Sequence, residues 1–518
     1  RADHKWSNGQ PFTVEDFRYW WKDVANNDEL SPVGPPTVMR VDGELPKFEI
    51  LDPLTVRYTW LKPNPDFLVR LAGASPLYIY RPAHYLRQFH AKYTDTEALD
   101  ASVKKARQRN WSSLHNKFDN LYRNDNLDLP VLQPWKIVTK ISSDRLSFVR
   151  NPYFHRVDPA GNQLPYADEC LLSIANNKLI PAKVGTGEVD LQARYLRFDD
   201  YTFLKQGESR QPYKTHLWQT AKGAHLALFP NLNVEDPGLR TLFRDVRFRR
   251  ALSMAVNRHE INQVIYYGLA LEGNNTVLPH SPLHDPKYQN SWASFDIKAA
   301  NKLLDEIGLI ERDSRDIRLL PDGRPLDIII ETAGESTEQT DVLELIHDSW
   351  LEVGIKVYSK PSQRNVFRNR IFSGATAMSI WFGIENGLAT AETSPAQFAP
   401  TTQQSLQWPK WGQHFETGGK AGQAPDMKPA QELLKLYHEW RGAASVEVKL
   451  KAWRRMLEIN ADEVFTIGLI SGVLQPVVVS LALRNVPKKG IYNWDPGAHF
   501  GIYSPDTFWF DTAASGKP

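Results

Sequence analysis

Between Pro325 and Val357 the sequence runs through an order of elements that leaves few ways to fold. Pro325-Leu326-Asp327-Ile328-Ile329-Ile330 reads as a strand, the segment from about Gln339 to Val353 as a helix, and Gly354-Ile355-Lys356-Val357 as a second strand. That order is a βαβ unit, so the region beginning near residue 233 is expected to form an α/β lobe on a mixed sheet. At 518 residues the chain exceeds what one hydrophobic core normally serves, and two or more lobes are expected.

The opening run, Lys5-Trp6-Ser7-Asn8-Gly9-Gln10-Pro11-Phe12-Thr13-Val14-Glu15-Asp16-Phe17, joins a turn to a helix start. Asn8-Gly9 supplies positive φ, Pro11 blocks a continuing strand, and Thr13 with Asp16 three residues on can cap a helix. Val14, Phe17, Trp21 and Val24 recur at steps of three and four, which predicts an amphipathic helix to about Asn27. After a Pro-rich connection, Val56, Tyr58 and Trp60 alternate as a strand, and residues 82–127 read as helical. Two strands joined by a turn at Ser142-Ser143-Asp144 follow, then a loop with Asp158-Pro159-Ala160-Gly161 and a further strand. A helix from Asn176 to about Val184 leads into Gly187-Glu188-Val189-Asp190-Leu191.

Phe243 to Arg258 reads as one helix with an apolar stripe of Phe248, Leu252, Ala255 and Val256. Asp245 falls in or near its first turn and Arg258 in its last, with the arginines between them on a solvated, salt-bridged face. Asp296 to Leu304, followed by Gly308, reads as a helix with a glycine stop. Helices at about 428–441 and 446–459 precede an apolar run from Val464 to Leu483.

Taken in order, these segments resemble the family 5 extracellular solute-binding proteins, the oligopeptide-binding class of ABC importer receptors. The opening run looks like that family's W-(S/H)-(D/N)-G-x-P-(F/V)-T-(A/V)-x-D signature. Arg150-Asn151-Pro152-Tyr153 and Gly161-Asn162-Gln163-Leu164-Pro165-Tyr166 are similar to its later hairpin, although Gln133-Pro134-Trp135 replaces the usual Gly-Pro-Tyr. Gly187 to Asp190, Asp245 to Arg258 and Asp296 to Gly308 match further family segments. The resemblance implies an α/β, two-lobed periplasmic-binding-protein type II fold with mixed sheets. The division it implies is 1–128 as an accessory part of lobe I, 129–232 as its core, 233–470 as lobe II, and 471–518 returning to lobe I. In the family the opening signature lies well inside the protein, so lobe I is expected to lack its N-terminal part, with a leader in the missing portion and a periplasmic location.

Lys plus Arg number 62 against 60 Asp plus Glu, which gives no electrostatic case for nucleic acid or an acidic membrane surface and favours a neutral or zwitterionic partner. The single cysteine, Cys170, excludes an intrachain disulfide and a multi-thiolate metal site, and its surroundings predict a buried, inert thiol. There is no G-x-S-x-G, and His259-Glu260 and His438-Glu439 both lack the second histidine of H-E-x-x-H. Gly185-Thr186-Gly187 lacks the third glycine and the Lys-Ser/Thr of a phosphate loop. No catalytic residue, cofactor or metal is assigned. A glycan-acting hydrolase with facing carboxylates is the alternative, since sixty acids always supply a pair on paper.

In the family a second-lobe segment, W-x-x-D-Y-x-x-P-x-x-F, forms part of the ligand cleft, and in peptide binders its Asp pairs with the ligand's α-ammonium. The corresponding stretch here is Trp381-Phe382-Gly383-Ile384-Glu385-Asn386, then Pro395-Ala396-Gln397-Phe398. Ile384 stands where the Asp would be, and Glu385 is one residue later. The resemblance therefore implies a cleft of Trp381, Phe382, Gly383, Glu385 and Asn386, tilted toward a neutral ligand held by stacking and amide hydrogen bonds. Trp408 and Trp411, in a Gly-rich loop, are further ligand candidates, equally open to packing under that loop. Asn231 and Asn233 are expected as hinge residues at a lobe crossover. The protein so implied is a monomeric, non-enzymatic receptor that captures an oligosaccharide, glycoconjugate or oligopeptide between two lobes and delivers it to the permease subunits of an ABC importer.

Overall fold

The computed structural model describes residues 2–121, 123, 125–140 and 144–511. The chain divides into two compact units: Arg1–Ile180 with Val479–Pro487 and Phe500–Pro518, and Pro181–Val478 with Lys488–His499.

In the first unit the expected helix start is present. The Thr13 hydroxyl accepts from the Glu15 N–H, and the Thr13 N–H donates to Asp16, closing a capping box on helix Val14–Arg18. The helix continues as wider π-type turns over Tyr19–Ala25, where Tyr19, Trp20, Trp21, Val24 and Ala25 are all buried. Asp16 also accepts from Trp6 Nε1 and from the Ala83 N–H, so one buried carboxylate ties the opening turn, the helix start and a later segment together. His115 is wholly buried, with Nε2 2.7 Å from the Tyr19 hydroxyl, and burial lowers its pKa to about 3.

Lys47–Asp52 and Thr55–Thr59 form a two-stranded antiparallel hairpin. Trp135–Ile137, Arg145–Arg150 and Glu169–Ser173 form a three-stranded antiparallel sheet. Ser142 and Ser143 of the expected turn lie outside the described residues. Glu169–Ser173 is an edge strand exposed along its whole length, so Cys170 is an exposed thiol and not the buried one expected. A strand paired on one side only, with neither face covered among the described residues, leaves its side chains in solvent whatever their polarity.

The second unit is built on a six-stranded sheet ordered Lys356–Pro361, Asp327–Thr332, Met378–Trp381, Leu226–Pro230, Ile467–Ser471, Leu271–Glu272. Asp327–Thr332 pairs in parallel with both its neighbours, and helix Thr337–Leu351 makes the crossover that the βαβ pattern predicts. The remaining pairs are antiparallel, which makes the sheet mixed. Asp296 caps helix Ile297–Glu306, and Gly308 takes φ +88° just beyond it, a left-handed conformation that glycine adopts without strain. Helices Lys428–Gly442 and Val446–Glu463 pack together where two late helices are expected.

The Phe243–Arg258 region departs from its expected form. It is split into helices Pro237–Arg244 and Val246–Met254, and Arg258 begins a third helix, Arg258–Tyr266. The break falls at Asp245, whose carboxylate caps the middle helix through the Arg247 N–H. Phe248, Leu252, Ala255 and Val256 are all fully buried, as their spacing predicts. Arg249 and Arg258 are buried as well, correcting the expectation of a solvated arginine face. Arg249 donates to the Phe243 and Glu463 carbonyls and to the Glu463 carboxylate, and Arg258 to the Gly468, Ser253 and Ala293 carbonyls. A guanidinium whose fork of donors is met by backbone carbonyls can leave water without an orphaned group. Among the described residues, no helix is long and apolar enough to cross a membrane.

Candidate functional site

Just before the central strand Leu226–Pro230, residues 221–224 run alongside residues 383–387. The Gly223 N–H donates to the Ile384 carbonyl (2.9 Å), Gly383 to Ala224 (2.9 Å) and Gly387 to Ala221 (2.5 Å). This ladder extends the pairing of Ala227 with Trp381 beyond the sheet. Glycine is required for the approach: a Cβ on Gly223 would overlap the Thr276 carbonyl oxygen and the Ile384 side chain, and one on Gly383 would overlap Asn275 Oδ1. Ile384 is held in the core, its N–H donating to Asn275 Oδ1.

The same ladder sets Lys222 beside Phe382 and Glu385. Lys222 Nζ lies 3.5 Å from the centroid of the Phe382 ring, a close cation–π contact. Burial lowers the Lys222 pKa, opposed by the charges of Glu385 and, next, Glu338. Burial likewise raises the Glu385 pKa, opposed first by the charge of Lys222. Each group thus supports the charged form of the other against desolvation. The Glu385 N–H donates to Gln397 Oε1 (2.7 Å), and its carbonyl accepts from Asn493 Nδ2 (2.6 Å).

On the inner side of Phe382, the His225 ring meets it edge-on at 6.0 Å. His225 Nε2 lies 3.2 Å from the Glu338 carboxylate, which accepts a 2.8 Å bond from the Tyr266 hydroxyl. Burial alone would raise the Glu338 carboxyl, but His225, the Tyr266 hydrogen bond and the Arg197 charge outweigh it and hold the pKa at about 2.

Residues 492–499 bring further rings to this region. His499 stacks on Tyr492 (4.7 Å, 24°) and lies 5.5 Å from Trp494, which is 39% exposed. Burial, then the charges of Arg194 and Lys222, lower the His499 pKa to about 4, so the ring is neutral at pH 7. The Arg194 guanidinium lies over Tyr195 at 5.2 Å, and the Tyr195 hydroxyl donates to Glu335. Arg364 pairs with Glu335 and lies over the Trp381 ring at 5.4 Å. The arrangement sets aromatic rings among charged and polar side chains that donate and accept hydrogen bonds.

Of the residues the sequence nominates, Trp381, Phe382, Gly383 and Glu385 come together here, with Asn386 at the edge, its side chain accepting from the Leu388 N–H. Trp408 and Trp411 do not join them. Both are fully buried core residues, their rings 6.4 Å apart, with Trp408 against Phe465 at 5.0 Å. They present no face to a ligand, so the packing alternative describes them. Asn231 and Asn233 are buried within the second unit: Asn231 donates to the Thr376 carbonyl, and Asn233 Oδ1 accepts from the Lys410 and Trp411 N–H groups, capping helix Pro409–Glu416 from a distant segment. Lys222, Tyr195, Tyr492, Trp494 and His499 went unnominated. The local signal for Tyr492, Trp494 and His499 is the clustering of aromatic and polar residues around the Pro-Gly loop Asn493-Trp494-Asp495-Pro496-Gly497; Lys222 and Tyr195 have none. Among the described residues, no group of three or more His, Cys, Asp and Glu side chains is placed to hold a metal ion.

The mixed-sheet α/β fold is that of the type II periplasmic solute-binding proteins, shared with the solved structures described next. The chain belongs to the bacterial extracellular solute-binding proteins, family 5: the model of that family's middle region matches residues 1–405. It is similar to the periplasmic alpha-galactoside-binding protein of Rhizobium meliloti (strain 1021), 23% identical over 515 residues, covering 95% of this chain and 69% of that one. The solved oligopeptide-binding protein OppA is 30% identical with a TM-score of 0.61, over 98% of this chain and 81% of that one. The periplasmic binding protein MelB of Agrobacterium fabrum C58, in complex with stachyose, has a TM-score of 0.77 at 19% identity, over 99% of this chain and 74% of that one. The resemblance read from the ordered motifs is thereby borne out, and the chain is a solute-binding protein of the ABC importer type. Its relatives are named as binding proteins, and they lend the hydrolase alternative no support.

Proposed function

We propose that this chain is the receptor for a neutral oligosaccharide of the α-galactoside class, working in the periplasm and handing its ligand to an ABC permease. The observation that carries this reading is the composition of the site on the second unit. Trp494 is exposed and Phe382 and His499 are half-buried, which leaves ring surface for a ligand, and Asn386 is a half-buried amide on the segment that carries Phe382. Sugars are held by such stacking, at about 1 kcal/mol per ring, with directional hydrogen bonds setting the register. The likeness to an alpha-galactoside-binding protein over nearly the whole chain supports the same ligand class.

A second reading, an oligopeptide ligand, has the 30% identity to OppA in its favour. Against it stands Ile384, a core residue where the family's peptide binders carry the acid that meets the ligand's ammonium. Thermal unfolding in the presence of stachyose, melibiose, cellotriose and tri-alanine separates the two. A ligand at 100 times its dissociation constant adds about 2.7 kcal/mol to stability. The galactosides are expected to raise Tm while cellotriose and tri-alanine leave it unmoved; a shift with tri-alanine alone would select the peptide reading.

A further inference from the structure

His499 is placed by a turn that its own backbone disfavours. Gly497, Ala498 and His499 take φ of +127°, +46° and +57° in succession, and the last two carry a Cβ that makes this region costly. The turn is clamped at its base all the same: the Ala498 N–H donates to the Trp494 carbonyl and the His499 N–H to the Asn493 carbonyl, both at 2.7 Å. Asn493 Nδ2 ties the turn to the Glu385 carbonyl at 2.6 Å and to the Asp495 carbonyl at 2.7 Å. The imidazole stacks on Tyr492 at 4.7 Å and lies 5.5 Å from Trp494, contacts that a phenyl ring would make equally well. What histidine adds is two ring nitrogens, and neither bonds to any of the described residues: Nδ1 is buried without a partner, and the open side of the half-buried ring belongs to Nε2. The ring is neutral at pH 7, its pKa lowered to about 4 chiefly by burial. A proton on Nδ1 would be a buried orphan donor, which folded proteins tolerate less readily than an unmet lone pair, so the single proton falls on Nε2.

We propose that His499 is a specificity-determining residue of the sugar site, its Nε2–H donating to a hydroxyl or ring oxygen of a glycan that lies against Trp494. The proposal rests on the neutral-glycan reading given above and deepens it by naming the residue and the atom. Strain held in a clamped turn fixes the donor in advance, so that binding does not have to order it. Specificity follows from what the N–H requires. A ligand that offers an oxygen there completes the bond, whereas one that offers an ammonium or an apolar edge leaves the donor unpaired and desolvated.

The test is calorimetric titration of the full chain with stachyose, for wild type, His499→Phe, His499→Gln and His499→Leu. His499→Phe keeps an aromatic ring and loses both nitrogens, and it should bind about fivefold more weakly, the scale of one neutral hydrogen bond. His499→Gln returns an amide N–H and should bind more tightly than His499→Leu, which is of similar size and has none. A folded His499→Phe that binds as tightly as wild type overturns the proposal. If His499→Phe does not fold, the Gln and Leu pair decides, and equal affinity in those two overturns it as well. Nitrogen NMR of the imidazoles, with the His499 signals assigned by their loss in His499→Gln, gives a readout without ligand: the Nε2–H tautomer is expected, and a proton on Nδ1 overturns the proposal. Absence of stachyose binding by wild type overturns the neutral-glycan reading itself, whereas stachyose binding that no His499 variant alters overturns only the role of His499.

Discussion

Replacing Gly223 by alanine adds one methyl group at the point where the site's two backbone segments approach most closely. The added Cβ would lie 2.7 Å from Ile384 Cδ1, and closer still to Ile384 Cγ1 and the Thr276 carbonyl oxygen, where ordinary contact begins at 3.4 Å. Ile384 is buried and cannot swing aside, and the carbonyl belongs to fixed backbone, so residues 221–224 must move by about an ångström relative to Ile384 and Thr276. Overpacking of that kind costs about 1–3 kcal/mol. The movement also displaces Phe382, so affinity for the sugar should fall together with stability. Gly442 is the matched control: it ends helix Lys428–Gly442, and a Cβ there meets nothing within 4 Å. Gly442→Ala should be neutral or stabilising by about 0.4–1 kcal/mol through the unfolded chain. Urea unfolding and ligand titration of both variants provide the comparison. If Gly223→Ala is as stable and binds as tightly as Gly442→Ala, the close approach of the two segments is not what builds the site.

The buried His115 makes stability depend on pH. Its pKa of about 3 lies below the ordinary 6.5, so the folded protein holds the neutral ring; that contribution is complete above pH 6.5 and is lost as pH falls toward 3, at about 1.4 kcal/mol per unit. Urea titrations at pH 7 and pH 5 should show wild type losing about 2 kcal/mol more than His115→Gln, and equal losses would mean that the ring is not held neutral. Trp408→Ala should cost about 3–5 kcal/mol in unfolding free energy, as core Trp truncations do, yet leave the ligand dissociation constant within twofold in calorimetry. Loss of binding in a folded Trp408 variant would restore that ring as a ligand contact. Trp494→Ala should do the reverse, weakening sugar binding by about 1 kcal/mol, roughly fivefold, with little change in Tm.

Much of the fold was legible because local chemistry decides it. The Thr13–Asp16 box, the Asp296 cap with Gly308 beyond, and the strand-helix-strand order around Thr337–Leu351 each need only neighbouring residues to be read. The burial of Arg249 was not legible, because its acceptor at Glu463 is 214 residues away and helical periodicity marks only the apolar side. Trp408 and Trp411 misled for a related reason. A glycine-rich surrounding suggests an open loop, but the Asn233 cap folds that segment into a helix and Phe465 covers the rings. At the site, Trp381 to Asn386 could be found by motif. Lys222, Tyr492, Trp494 and His499 come from segments whose convergence depends on sheet order and on a glycine ladder that no local pattern announces.

The most direct test of the central claim, that the rings and amides on the second unit bind a neutral α-galactoside, is isothermal titration of stachyose into wild type and Phe382→Ala. Saturable binding is predicted for wild type, with a clear loss of affinity in a folded Phe382→Ala. Absence of heat with stachyose alongside saturable binding of tri-alanine, or stachyose binding that Phe382→Ala leaves unchanged, would contradict it.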